Sequence, residues 1–189
     1  MTNTLFYVMG ASGAGKDSIL AGARARLEHE AYNQPLTSVW FAHRYVTRPA
    51  DDATENHIAL SEREFEARCR AGAFVFDWSS HGLRYGVGIE VQSWLAHTPV
   101  VVNGSRAYLE TAIARVPELV PVLVDVSPAV RAARLQARGR ETDSMQAQRL
   151  QRGALYADID HERLVRISND GALDAAIDDF CTTVRAPRP

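Results

Sequence analysis

Lysine is almost absent from this sequence: of its 21 basic residues one is a lysine, Lys16, and all others are arginines. An arginine bias of that kind reflects the genome at most positions, which makes the one retained lysine worth following. Cysteine is scarce too. Cys69 and Cys181 lie far apart without metal-type spacing, which excludes a disulfide framework and leaves idle thiols in a reducing cytoplasm as the expectation. No apolar run approaches the roughly 18 residues that span a bilayer. The start Met1-Thr2-Asn3-Thr4 is not basic and Leu5–Met9 gives way to glycines, so no signal peptide is expected. Neither sign of charge is in excess. With a formal net charge of -2, nothing favours nucleic acid or an anionic membrane as partner.

What is present is ordinary for one globular domain: 189 residues, 46% apolar and 23% charged, with no repeat, linker or low-complexity stretch. Leu5–Met9 reads as a buried strand, and Lys16 to about Glu28 as the helix after it. Ser38–Val46 reads as a second strand, followed by a polar loop over 47–56. Ser61-Glu62-Arg63-Glu64 is a capping box, predicting a helix from Glu62 to Arg70. Short strands are expected at Phe74–Trp78 and Arg84–Gly86, a helix near Glu90–Ala96 and a strand at Pro99–Val102. Further helices are expected at Tyr108–Arg115, from Pro128 to about Arg138, over Thr142–Tyr156 and at Leu173–Val184. Val120–Val126 and Leu164–Ser168 complete the strands. The alternation predicts an α/β fold of three layers, a mostly parallel sheet with helices on both faces. Ligands in such folds sit at the carboxyl ends of the strands.

The turn after the first strand carries the chemistry. Gly10-Ala11-Ser12-Gly13-Ala14-Gly15-Lys16 spaces its glycines so that backbone N–H groups face inward around phosphate oxygens, where side chains would obstruct them. The helix that follows adds its free N–H groups and dipole. Lys16 reaches the β- and γ-phosphates as a compact point charge, a task arginine does not share, so the single lysine stands where the motif needs one. This is the phosphate loop of an NTP-binding protein, with ATP and magnesium as the expected partners. Position 17 departs from the usual Ser or Thr. Asp17, followed by Ser18, offers a hard carboxylate for magnesium, directly or through water. The alternative is that Asp17 only caps the helix.

The chain further resembles the guanylate kinase-like kinases, most closely the ribose 1,5-bisphosphate phosphokinases of phosphonate degradation. The likeness covers nearly the whole length. Its markers are Gly10–Ser18, Ala42–Arg48, Glu55–Ser61, His81–Gly88 and Val102–Arg106. The resemblance implies a guanylate kinase-like P-loop fold with an acceptor-binding subdomain at about 38–88 and a lid at about 139–152. It also implies the reaction of ATP with ribose 1,5-bisphosphate to give ADP and 5-phosphoribosyl 1-diphosphate. ATP would lie on Gly10–Ser18, and the loop at Asn169 would lie beside adenine. The expected partners are small molecules; a homodimer stays open.

Guanylate kinases differ at the acceptor end. Where they place a guanine-reading glutamate this chain has Asp77, and where they place a Ser or Thr it has Val87. His57 replaces an aromatic, Asp51 and Asp52 stand in the loop where guanylate kinases have a second phosphate-binding arginine, and Asn103-Gly104 replaces an acidic strand end. These departures point away from GMP. A guanylate kinase with altered base contacts is the runner-up, and a non-catalytic binding module the third reading, disfavoured by an intact Lys16. For the acceptor phosphates the expected partners are Arg44 and Arg48, with Tyr85 and Arg106, because planar forks bind phosphate bidentately. Arg84 stays open between that role and a surface position. His57, His81 and Asp77 are expected near the sugar or its phosphates. Closure of the lid about Gly139 would bring Arg138 and Arg149 to the transferring group alongside Lys16 and Arg48.

Overall fold

The computed structural model describes residues 3–33, 38–49, 57–137 and 159–186. Strand β1 (Leu5–Gly10) is buried along its length and feeds helix α1 (Lys16–Asn33) through the glycine turn. There follow β2 (Trp40–Phe41), β3 (Arg44–Val46), β4 (His57–Ala59), α2 (Glu62–Arg70), β5 (Phe74–Ser80) and β6 (Leu83–Gly88). The rest comprises α3 (Val91–Trp94), β7 (Val100–Asn103), α4 (Leu109–Arg115), β8 (Val120–Asp125), α5 (Pro128–Ala137), β9 (Val165–Ser168) and α6 (Leu173–Arg185).

A five-stranded sheet, ordered β2-β7-β1-β8-β9, is parallel throughout. Alternation along β1 builds its two faces. Phe6 and Val8 point to α1 and α6, meeting Ile19, Ala23, Leu27, Ile177 and Phe180. Leu5, Tyr7 and Met9 point the other way, to Val91, Leu109 and Ala112 of α3 and α4, and to Phe76, Trp78 and Val87 of the β5–β6 hairpin. Helices therefore cover both faces, and the hairpin is wedged into one of them.

The hairpin belongs to a second sheet, ordered β4-β3-β6-β5, in which β3 and β4 run parallel and the other pairs antiparallel. Helix α2 closes it, with Phe65 fully buried against Phe74, and Ser61 Oγ accepts the Glu64 N–H at 3.2 Å as the capping pattern requires. One sequence expectation changes here, and one residue left open finds its partners. Ser38–Val46 is not one strand: Trp40 and Phe41 pair with β7, the chain then leaves the main sheet, and Arg44 restarts against Val87 of the second. Arg84 is engaged within the protein. Its guanidinium donates to Glu66 Oε2 at 2.6 Å and to Cys69 Sγ at 3.4 Å, lies over Phe65, and ties α2 to β6. The expected helix over 142–156, the lid and the loop at 50–56 lie outside the described residues.

Candidate active site

The carboxyl ends of β1, β7 and β8 set the site. After β1 the chain turns through Gly13 at φ 86° and Gly15 at φ 83°, backbone conformations that side-chain-bearing residues rarely adopt. The turn tightens on itself, with the Ala14 N–H donating to Ala11 O at 3.0 Å. Lys16 opens α1 with its ammonium held by two groups. It donates to Asp17 Oδ1 at 2.8 Å and to Asn103 Oδ1. Asn103 Nδ2 donates in turn to Asp17 Oδ1 at 3.2 Å, closing a triangle between the loop and the end of β7. Asn103 is a buried polar residue whose bonds account for its burial. Burial pushes the Asp17 carboxyl upward, but Lys16, the bond from it, the nearby Arg44 charge and the Asn103 bond outweigh that, leaving its pKa below the ordinary range. Asp17 is therefore a carboxylate with one oxygen engaged, while Oδ2 has no protein partner among the described residues.

The position of Asn103 is fixed from behind. Tyr7, buried on β1, accepts the Ser105 N–H at 2.9 Å and donates to Ser105 O at 3.0 Å. Its ring occupies the space a side chain on Gly104 would need, so the Asn103-Gly104 turn requires glycine. Burial raises the Tyr7 pKa, and the hydroxyl stays protonated as a fixed donor.

Asp17, Leu20 and Arg24 of α1, Phe41, Arg44 and Asn103 line a cavity of about 210 Å³. Arg44 stands over the Tyr85 ring at 4.9 Å from its centroid. Tyr85 stacks on Trp78 at 5.5 Å and 9°, and Trp78 meets Tyr108 at 5.6 Å. This tier of rings carries Arg44 into the cavity from the second sheet. Arg48 and His57 are not among the residues that line this cavity; Arg48 Nη2 and His57 Nδ1 lie 3.3 Å apart, so two expected acceptor residues are joined.

On the β8 side the loop after β9 reaches the glycine turn. Asn169, 2% exposed, donates from Nδ2 to Ala14 O at 2.7 Å, and its own carbonyl accepts from Arg134 Nη2 at 2.8 Å. Asn169 Oδ1 and Arg134 Nη1 are buried without a hydrogen-bond partner among the described residues. Sequence reasoning placed Arg134 only on the helix before the lid. Its role here follows from α5 and β9 meeting, which periodicity does not reveal. Replacing Asn169 by alanine strands the buried Ala14 carbonyl at a cost of about 1–3 kcal/mol. The expected result is a melting temperature lower by several degrees and a KM for ATP about tenfold higher, read by calorimetry and initial rates.

Other expected residues lie elsewhere. Asp77 is ion-paired with Arg115 at 3.0 Å on the α4 side and does not line the cavity. His81 is exposed at the tip of the β5–β6 hairpin, with φ 52°. Arg106 is half-buried on the short turn Arg106–Tyr108 after Asn103. Arg138 and Arg149 lie outside the described residues.

No family model matches the chain. Among curated proteins, the ribose 1,5-bisphosphate phosphokinase PhnN of Chromobacterium violaceum is 49% identical over 189 residues, covering 99% of this chain and 96% of that protein. This chain belongs to the ribose 1,5-bisphosphate phosphokinase family. A second member, from Thiobacillus denitrificans, is 49% identical over 173 residues, or 91% of this chain and 87% of that one. In fold the chain is similar to guanylate kinase from Anaplasma phagocytophilum, with a TM-score of 0.62 at 13% identity, covering 97% of this chain and 85% of that one. The family is thus a kinase family, and the chain has a guanylate kinase-like α/β fold. No described helix is long and apolar enough to cross a membrane.

Proposed function

We propose that this chain transfers the γ-phosphoryl group of ATP to the 1-phosphate of ribose 1,5-bisphosphate, yielding ADP and 5-phosphoribosyl 1-diphosphate. The observation that carries this reading is the Lys16–Asp17–Asn103 triangle opening onto a cavity with two arginines. The family supplies the acceptor, and the phosphonate-degradation setting implied by the resemblance fits it.

An oxygen of the 1-phosphate forms the new bond to the γ-phosphorus, the bond to the β,γ-bridging oxygen breaks, and ADP leaves with the electron pair. The acceptor phosphate is already ionised, so no general base is needed. The protein's task is alignment and charge. The glycine turn and Lys16 hold the ATP phosphates. The loop at Asn169, tied to the glycine turn through the Ala14 carbonyl, would lie beside the adenine. Arg44 and Arg48 orient the acceptor phosphate, with Tyr85 beneath Arg44 and His57 beside Arg48. Arg106 follows on the adjoining turn, and the lid arginines Arg138 and Arg149 would close over the γ-phosphoryl group. Magnesium would be held at Asp17, whose ionised carboxylate has Oδ2 available. When bound it offsets phosphate charge.

Two observations weigh against GMP. Asp77 is tied to Arg115, and Val87 is fully buried in the core, so neither presents a polar group to a base edge. Phosphorus NMR decides the matter. Protein with Mg·ATP and ribose 1,5-bisphosphate is expected to build a diphosphate on C1 of the ribose, with GMP untouched in parallel. GDP formation instead would show that the guanine site survives and that the acceptor reading fails.

A further inference from the structure

A bisphosphate acceptor poses a geometric problem that Arg44 and Arg48 do not solve. Only one of its phosphates reacts, and the other must be held well away from Lys16. The cavity runs from Asp17 and Asn103 along α1, whose residues Asp17, Leu20, Arg24 and Glu28 share one face at helical spacing. Asp17 and Arg24 are seven residues apart, about 10 Å along the axis. An arginine on a helix leans toward the N-terminus, which shortens the reach. That separation suits the span between the two phosphorus atoms across a five-membered sugar.

Arg24 is held as a phosphate-binding arginine would be. Nη2 donates to the Phe41 carbonyl at 3.1 Å, and the guanidinium lies 5.4 Å from the Phe41 ring centroid. No carboxylate pairs with it among the described residues, although Glu28 stands four residues on, where a helix ordinarily forms such a pair. Phe41 thus fixes the guanidinium in the wall of the cavity. Glu28 gives the far end a negative charge, which keeps an anion at the level of Arg24.

We propose that Arg24 binds the non-reacting phosphate, the 5-phosphate of ribose 1,5-bisphosphate; this rests on the acceptor reading above. Arg24 is then the residue by which the enzyme distinguishes a bisphosphate from ribose 1-phosphate. The two arginines of the cavity divide the acceptor between them, Arg44 at the reacting end and Arg24 at the other.

The test compares kcat/KM for ribose 1,5-bisphosphate and ribose 1-phosphate, a ratio from which the fraction of correctly folded enzyme cancels. In the wild type the bisphosphate is preferred about 100-fold or more, the effect of a charge-assisted bidentate contact. In Arg24→Ala the preference falls to within a few fold, and Arg24→Lys restores part of it. Calorimetric titration with ribose 5-phosphate, which undergoes no transfer, shows the same loss. An unchanged ratio in Arg24→Ala, with the wild type turning over the bisphosphate, overturns the Arg24 assignment alone. A wild type that turns over neither compound overturns the acceptor reading and this assignment together.

Discussion

Replacing Lys16 by alanine is expected to lower kcat by about 10³-fold, the scale on which single charge-stabilising groups act in phosphoryl transfer. The ammonium sits where the glycine turn, Asp17 and Asn103 meet, within hydrogen-bond distance of both side chains. Removing it takes away the charge that offsets the transferring group. It also removes the main cause that keeps Asp17 ionised, leaving only the Arg44 charge and the Asn103 bond to oppose burial. Arginine is not expected to substitute, because a planar fork is larger than the ammonium and presents its donors in a fixed plane. That is the physical sense of the single lysine among 21 basic residues. ADP release in a coupled assay gives the rate, and calorimetry checks that the variant folds. A Lys16→Arg protein within tenfold of the wild type would remove the compact-charge argument.

The parts of this site that were legible in the sequence are those encoded locally. Gly13, Gly15 and Lys16 declare themselves because a turn needing positive φ and a following helix are specified by neighbouring residues. The capping box at Ser61 was legible for the same reason. What escaped depends on distant chain segments. Strand β4 is three residues long and exists through parallel pairing with β3, so no periodicity marks it. The break between Trp40-Phe41 and Arg44–Val46 is set by which sheet offers a free edge, and both halves read alike as strand. Arg24 looks like any exposed helix arginine until Phe41 of another strand is seen to hold it. Asn103 was noticed as a missing carboxylate. Its bond to Asp17 shows that the polar group at the end of β7 and the departure at position 17 belong together.

That pairing leads to the second large effect. Asp17→Asn preserves an oxygen that can accept from Lys16 and Asn103, so the triangle keeps its shape while losing its negative charge. If Asp17 holds magnesium, turnover at fixed Mg·ATP is expected to fall about 100-fold, with half-saturation by magnesium moving to higher concentration. Binding of ATP measured in chelator should not weaken, since a carboxylate beside phosphates repels them. The wild type adds a pH signature whose sign follows from the shift. The folded pKa is lower than in the unfolded chain, where aspartate titrates near about 3.9. Its contribution to stability is therefore complete above that value and is lost as pH falls through the lower folded one. Asp17 accordingly remains ionised across the neutral range, and any acid limb of activity near pH 5–6 belongs to another group. Thermal unfolding followed from pH 6 down to 3 should decline less steeply in Asp17→Asn than in the wild type. A magnesium titration that superimposes for the two proteins would make Asp17 a partner of Lys16 and nothing more, and would move the metal to other oxygens of the site.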